Sequence, residues 1–258
     1  MKVIKVDLPQ TIKNLELIPL ADLHIGDKHC DMELIQEKIN YIKNNDNVYC
    51  LLNGDLMNNS TKNSVGDVYG EKLTPTEQVL MVRDLLAPIR HKIIAVTTGN
   101  HEARTWKWDG IDLMKLLCSE LSIEDKYANE SALIFLRFGK QNSHKSFAPV
   151  SYVIFVTHGS GGGRKEGAKA IRLADMASIV DADIYIHSHT HLPMIMKQSF
   201  YRTDIRSSSA LIVPKLFVNT AAMLNYGGYG EAYEYKPASK ETPHIYLNGH
   251  TKKASAKL

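Results

Sequence analysis

Short apolar runs alternate along this chain with longer stretches of helical period. Residues 48–52 (VYCLL) and 153–156 (VIFV) are almost continuously apolar. Runs of that kind suit strands buried on both faces of a layered α/β fold. With the other β-branched segments, they predict strands at 2–8, 14–20, 48–53, 92–98, 132–138, 151–157, 183–187, 193–200 and 211–219. Apolar residues at helical spacing predict helices at 31–44, 75–90, 109–121 and 166–180. The second of these has the clearest start, since Thr74, Pro75 and Glu77 supply an N-cap, a first-turn proline and a capping-box partner in order. The third is expected to begin at Asp109 and to turn Ile111, Met114 and Leu117 inward. Residues 139–150 read as an exposed loop, and 248–258, small and basic, as a frayed flexible tail. Without an internal repeat or a long linker, residues 1–247 are expected to form one domain.

Composition narrows the picture only a little. A chain of 258 residues with 44% hydrophobic and 23% charged residues can bury a substantial core. A net charge of +3 permits an anionic substrate but is not that of a protein that coats nucleic acid. Cys30, Cys50 and Cys118 are dispersed and form no C-x-x-C pair, which points to buried free thiols in a reducing compartment. The opening MKVIKVDLPQ lacks the apolar stretch of a secretion signal, and no apolar run approaches the ~20 residues that span a bilayer. A cytoplasmic protein with no membrane partner is expected.

The candidate chemistry sits in five short segments: Asp22-Leu23-His24, Gly54-Asp55, Gly99-Asn100-His101-Glu102, His158-Gly159 and His189-Thr190-His191. Four directly follow an expected strand, and the carboxyl ends of strands are where α/β sheets build sites. Carboxylate, amide oxygen and imidazole without thiolate form a coherent donor set for Mn, Fe, Zn and similar ions. Asp22 and His24, two apart in an extended segment, should face one way, as should His189 and His191. A chelating pair from each side and a bridging carboxylate would hold two metals about 3.5–4 Å apart.

The order D-x-H, G-D, G-N-H-E, H-G, H-x-H resembles the calcineurin-like metallophosphoesterases, among them variants often encoded by bacteriophages. The likeness spans residues 22 to 191. It implies a four-layer α/β/β/α sandwich of two mixed sheets flanked by helices. It also implies that Asp22, His24 and His191 bind one metal, that Asn100, His158 and His189 bind a second, and that Asp55 bridges them. His101 would touch the scissile phosphate. The ions would be two divalent metals, manganese first, with Fe, Zn, Ni or Mg as substitutes. Such a pair activates a bridging water for in-line attack on phosphorus. Asn100 and His101 would stabilise the phosphoryl oxygens, and His101 would protonate the leaving group. The family pattern usually has glycine where this chain has Ser188, a residue small enough for the turn to survive. Asn58 occupies a place where the family often has a polar residue.

Several features stay open at this point. Gly159–Lys165 is either a mobile loop or a phosphate-binding lid carrying Arg164. The stretch Arg104-Thr105-Trp106-Lys107-Trp108 either packs in the core or binds substrate through Arg104 and stacks on a nucleobase. The Gly/Tyr-rich residues 225–235 either cover the site or close a hairpin. His187 reads as a packing histidine. The Arg/Trp stretch tilts the expected substrate toward a phosphodiester of a nucleotide or nucleic acid. A phosphomonoesterase acting on proteins or small molecules, or a non-catalytic interaction module, are the alternatives. A double-strand-break nuclease is disfavoured, because little more than 60 residues follow His191.

Overall fold

A computed structural model describes residues 1–9, 11–62, 64, 68–139, 149–161 and 163–258, with the Tyr229 side chain left out. The first sheet contains β2 (Asn14–Leu20), β3 (Val48–Asn53), β4 (Ile93–Thr97), β5 (Tyr127–Ala128), β11 (His244–Asn248) and β12 (Ala254–Lys257), in the order β12-β11-β2-β3-β4-β5. The second contains β1 (Lys2–Asp7), β6 (Ser131–Arg137), β7 (Ser151–Thr157), β8 (Ile184–His187), β9 (Met194–Asp204) and β10 (Ser209–Asn219), in the order β1-β6-β7-β8-β10-β9. Both are mixed. The centre of the first, β2-β3-β4, is parallel, as is β7-β8-β10 in the second.

The apolar pattern explains the layering. Leu15, Leu17, Leu51, Ile94, Ile134, Ile154 and Ile184 meet between the sheets. Their strand neighbours Ile18, Leu20, Cys50 and Leu52 face the other way and pack under α1 (Met32–Asn44), α2 (Pro75–Leu86) and α4 (Leu113–Glu120). On the far side, Phe155, Tyr185 and Phe217 pack under α5 (Glu166–Asp175) through Leu173. The result is the four-layer α/β/β/α arrangement. Among the described residues, no helix is long and apolar enough to cross a membrane.

The capping box at Thr74 forms as the sequence implies, with both reciprocal bonds present and Pro75 in the first turn. Other boundaries shift. Residues 87–92 and 176–178 tighten into 3-10 turns after α2 and α5. The helix expected at 109–121 is α4, which starts later than Asp109, and a helix the sequence did not suggest precedes it. α3 (Glu102–Asp109) stops at Gly110, whose left-handed conformation (φ 69°) caps it, and α4 restarts behind the N-cap Asp112. Met114 and Leu117 are buried as expected, but Ile111 lies in the connection and is exposed. The end of the chain is not a frayed tail. Residues 254–257 form β12, paired antiparallel with β11. The expected loop at 139–150 falls largely outside the described residues. A short α6 (Gly228–Ala232) lies within the Gly/Tyr-rich stretch.

Candidate metal centre

The five chemical segments converge where the parallel strands end. Asp22 and His24 follow β2, Asp55 follows β3 and Asn100 follows β4. His158 follows β7, while His189 and His191 follow β8. The two sheets therefore each contribute part of one cluster. The loops are tied to one another by main-chain bonds: Asp22 N–H to Gly54 O (3.1 Å), His24 N–H to Asp55 O (3.0 Å) and Ser188 N–H to His158 O (3.1 Å).

The side chains point inward for a different reason than strand alternation. Asp22, His24, Asp55, His189 and His191 all adopt left-handed backbone conformations, with φ between 48° and 66°. Such residues are uncommon outside Asp, Asn, His and Gly, and each costs on the order of 1–3 kcal/mol. Concentrating them here aims the donors into one space. Close backbone approach also demands glycine beside them. A Cβ on Gly99 would lie 2.1 Å from Asp55 Oδ1, and one on Gly54 would lie 2.4 Å from Gly99 N.

Three overlapping groups of donors result. Asp22, His24 and His191 offer atoms within 4.8 Å of one another, as do Asp55, His158 and His189, and a third such group joins His24, Asp55 and His101. His24 Nε2 and His191 Nε2 are 3.3 Å apart, and His191 Nε2 is 3.1 Å from Asp22 Oδ1. His158 Nε2 is 3.2 Å from Asp55 Oδ2 and 3.2 Å from Asn100 Oδ1. Asp22 Oδ1 is buried without a hydrogen-bond partner, an anomaly for a carboxylate oxygen. An orphaned oxygen facing converging imidazole nitrogens fits divalent cations.

The protein's own charges set ionisation. Burial alone would push the Asp22 and Asp55 carboxyls up. The adjacent histidines, His191 for Asp22 and His101 with His158 for Asp55, nevertheless hold both below the usual carboxylate range. Burial and the neighbouring His101 hold His24 well below the usual imidazole range. His158 is the opposite case: burial would lower it, but the Asp55 carboxylate pushes it up to about 10. Burial, and then Arg104, lower His101 against the pull of Asp55.

The remaining residue of the Gly-Asn-His-Glu segment has a clear task. Glu102 accepts N–H bonds from Asp55, Gly99 and Met57, each at 3.0 Å, and so sutures the loops after β3 and β4. Burial beside Asp55 pushes its carboxyl up to about 7. His101 Nδ1 donates to Asn58 O at 2.6 Å, which turns Nε2 inward, 3.8 Å from Asp55 Oδ2. Arg104 donates to the same carbonyl at 3.1 Å. Arg164 lies over the Tyr235 ring, 5.2 Å from its centroid. Trp106 and Trp108 do not pack in the core but are more than half exposed on α3. His187 is buried against Asn219 Oδ1 (2.9 Å), and a Cβ on Gly159 would lie 2.0 Å from its Nε2. The turn after β8 survives with serine in place of glycine. Ser188 Oγ accepts from Asn53 Nδ2 at 2.6 Å.

Two residues escaped the sequence. Asn53 carries a signal in retrospect, as a polar residue ending an apolar strand directly before Gly54. Glu71 carries none: it lies in a polar stretch far from every motif, yet its carboxylate reaches the side chain of Asn58.

The family model for calcineurin-like phosphoesterases matches residues 23–193. The chain belongs to that family. Similar solved structures include a metallophosphoesterase from Sphaerobacter thermophilus at 12% identity, covering 94% of this chain and 86% of that one with a TM-score of 0.41. A conserved protein of Streptococcus pneumoniae, described as a predicted phosphoesterase, shares 16% identity over 95% of this chain and 98% of that one, with a TM-score of 0.35. The nuclease MPE of Pseudomonas putida shares 12% over 93% and 87%, with a TM-score of 0.36. No curated protein sequence matches the chain.

Proposed function

We propose that this chain is a phosphoesterase that uses two divalent cations, manganese first, to hydrolyse phosphodiesters of nucleotides or nucleic acid. The observation that carries the reading is the convergence of Asp22, His24, His191, Asn100, His158 and His189 around Asp55. When bound, two such cations neutralise phosphate charge and make a water nucleophilic near neutral pH. Asp22, His24 and His191 would hold one ion, Asn100, His158 and His189 the other, and Asp55 both. Asp22 and Asp55 are ionised and His24 is neutral at neutral pH, the states that ligation requires.

His101 serves the substrate. Its Nδ1–H is committed to the Asn58 carbonyl, so Nε2 is the atom that meets the phosphoryl group. A phosphate anion beside Nε2 favours the imidazolium, which then protonates the leaving oxygen. The lean to a diester bearing a base draws on the flanks. Trp106 and Trp108 are exposed on the helix that begins beside His101, with Lys107 between them. Lys165, Lys169 and Arg172 lie at helical spacing along α5, and Lys169 Nζ donates to Thr190 O between the two histidines of that turn. Cations with exposed aromatics are the equipment of single-strand binding. Free, dispersed cysteines fit a reducing, cytoplasmic setting.

The test is a comparison of bis-p-nitrophenyl phosphate with p-nitrophenyl phosphate in Mn²⁺, with nucleotides and single-stranded oligonucleotides as competitors. Cleavage of the diester, inhibited by both competitors, is expected. Cleavage of the monoester alone, without competition, overturns the lean to nucleic acid. No Mn²⁺-dependent hydrolysis of either ester overturns the enzyme.

A further inference from the structure

A metal-binding imidazole must present a lone pair at one ring nitrogen, and the hydrogen bond at the other nitrogen decides which. In the first half of the centre that decision can be traced outward through three side chains. His24 Nδ1 lies 3.3 Å from Asn58 Oδ1. An amide could equally turn its nitrogen to the ring, which would move the proton to Nε2 and destroy the ligand. The amide is held the right way round by what lies behind it. Asn58 Nδ2 donates to Glu71 Oε1 at 2.5 Å, with Asp27 Oδ2 at 3.4 Å and Ser60 Oγ at 3.3 Å as further partners. A carboxylate only accepts, so Glu71 can face only the nitrogen of Asn58. The oxygen must then face His24, Nδ1 must carry the proton, and Nε2 is left as the donor atom.

Glu71 is itself fixed. Its Oε2 accepts from Gln78 Nε2 at 2.6 Å, and Gln78 is fully buried and accepts from Asn59 N at 2.8 Å. The main chain beside it is pinned by Lys72 N–H to Gly26 O at 2.9 Å. Gly26, with φ of 111°, makes the necessary room: a Cβ there would lie 2.4 Å from the Gln78 amide nitrogen and 2.8 Å from Glu71 Oε2. The main chain of Asn58 extends the same device, because its carbonyl accepts from His101 Nδ1.

We propose that Glu71 is a positioning residue of the centre, acting through Asn58 to fix the tautomer of His24 and the place of His101. The inference rests on the metal-centre reading above, and its test separates the two. Wild type and Glu71→Gln are titrated with Mn²⁺, and free Mn²⁺ is followed by electron paramagnetic resonance. The same substitution is made in His189→Ala, which leaves the first half intact, and in His191→Ala, which leaves the second. Glu71→Gln should weaken the ion of the first half by about 10–100-fold and leave the second unchanged, the usual weight of a partner behind a ligand. Adding Asn58→Asp to Glu71→Gln restores an acceptor for His24 and a partner for the amide at 71, and should recover most of the loss. In EDTA, ¹⁵N spectra should show His24 as the Nδ1–H tautomer in wild type and mixed in Glu71→Gln, with the melting temperature unchanged. Equal weakening of both halves with a lowered melting temperature would make Glu71 a fold residue and overturn the proposal. Unchanged affinity and an unchanged tautomer would also overturn it. Absence of Mn²⁺ binding in wild type would instead sink the metal reading, and the tautomer measurement would still decide the role of Glu71.

Discussion

The two halves of the proposed centre solve one problem in different ways. His24 and His158 each need a partner at Nδ1 so that Nε2 points inward. His158 finds it in the main chain: Nδ1 lies 2.6 Å from the carbonyl of Asn53, the last residue of β3. His24 finds it in a side chain, Asn58, backed by Glu71 from the stretch before α2. A carbonyl in a central strand can accept but never donate, and no substitution removes it. A side-chain amide can turn, and must be held by further residues. The half built on the strand is thus fixed by the fold, and the half built on side chains is open to tuning.

The harshest way to break the comparison is to remove what the halves share. Asp55→Ala should weaken binding at both, so that elemental analysis after Mn²⁺ loading falls from about two ions to one or none, with activity near background. A variant that still holds two ions would refute the bridging role. Next in size is His101→Asn, which removes no ligand from either half. It should keep about two ions while losing on the order of 10²–10⁴-fold in turnover on esters with poor leaving groups. Esters of p-nitrophenol need little proton donation and should lose less. Equal losses on both would assign His101 to phosphoryl charge and not to the leaving group.

Asn53→Ala sharpens the contrast. It leaves the main-chain carbonyl that orients His158 but deletes the side chain, whose Nδ2 donates to Thr157 O (2.9 Å) and Ser188 Oγ and whose Oδ1 accepts from Thr97 Oγ1 (2.6 Å). The two Nδ2 bonds tie the first sheet to the second beneath the site, and the Oδ1 bond ties β3 to β4 within the first. Their buried partners would lose satisfaction at a cost of about 2–3 kcal/mol, seen as a melting temperature in EDTA lowered by about 5–10 °C. An unchanged melting temperature would show that the bracket does not hold the sheets. The smallest effect is a proton. His158 is pushed up to about 10 and must lose its proton to ligate, whereas His24, held low, has none to lose. Mn²⁺ binding to His191→Ala, which retains the His158 half, should release about one proton at pH 8, and its affinity should rise with pH toward 10. Binding to His189→Ala should release almost none. Calorimetry in buffers of different ionisation enthalpy measures both, and equal release would refute the difference in charge state.

What was legible in the chain was local. A buried strand needs a run of apolar residues, and its end needs a few residues with particular backbone freedom, so β2, β3, β4, β7 and β8 and the Asp, Asn and His that follow them could be read together. Thr74, Pro75 and Glu77 marked the start of α2 because capping involves only neighbours in sequence. α3 was missed because Glu102–Asp109 is polar and carries its tryptophans outward, so it has no apolar stripe. β12 was missed because residues 254–257 are paired through backbone bonds, which polar side chains do not advertise. D-x-H and H-x-H were expected to face one way for a different geometric reason. Their side chains converge through left-handed residues, not through extended alternation.

By itself, then, the sequence marked most strands and the candidate donors, because periodicity and turn chemistry act over a few residues, while the four layers followed from the resemblance that the ordered motifs carry. Only the tertiary structure decided how each donor is held. Asn53 meets Ser188 across 135 positions and His158 across 105, while Glu71 reaches Asn58 over a stretch with no regular period. Contacts of that kind depend on which strand ends and loops the packing of two sheets brings together, and a hydrogen bond between distant residues leaves no spacing rule in the chain that makes it.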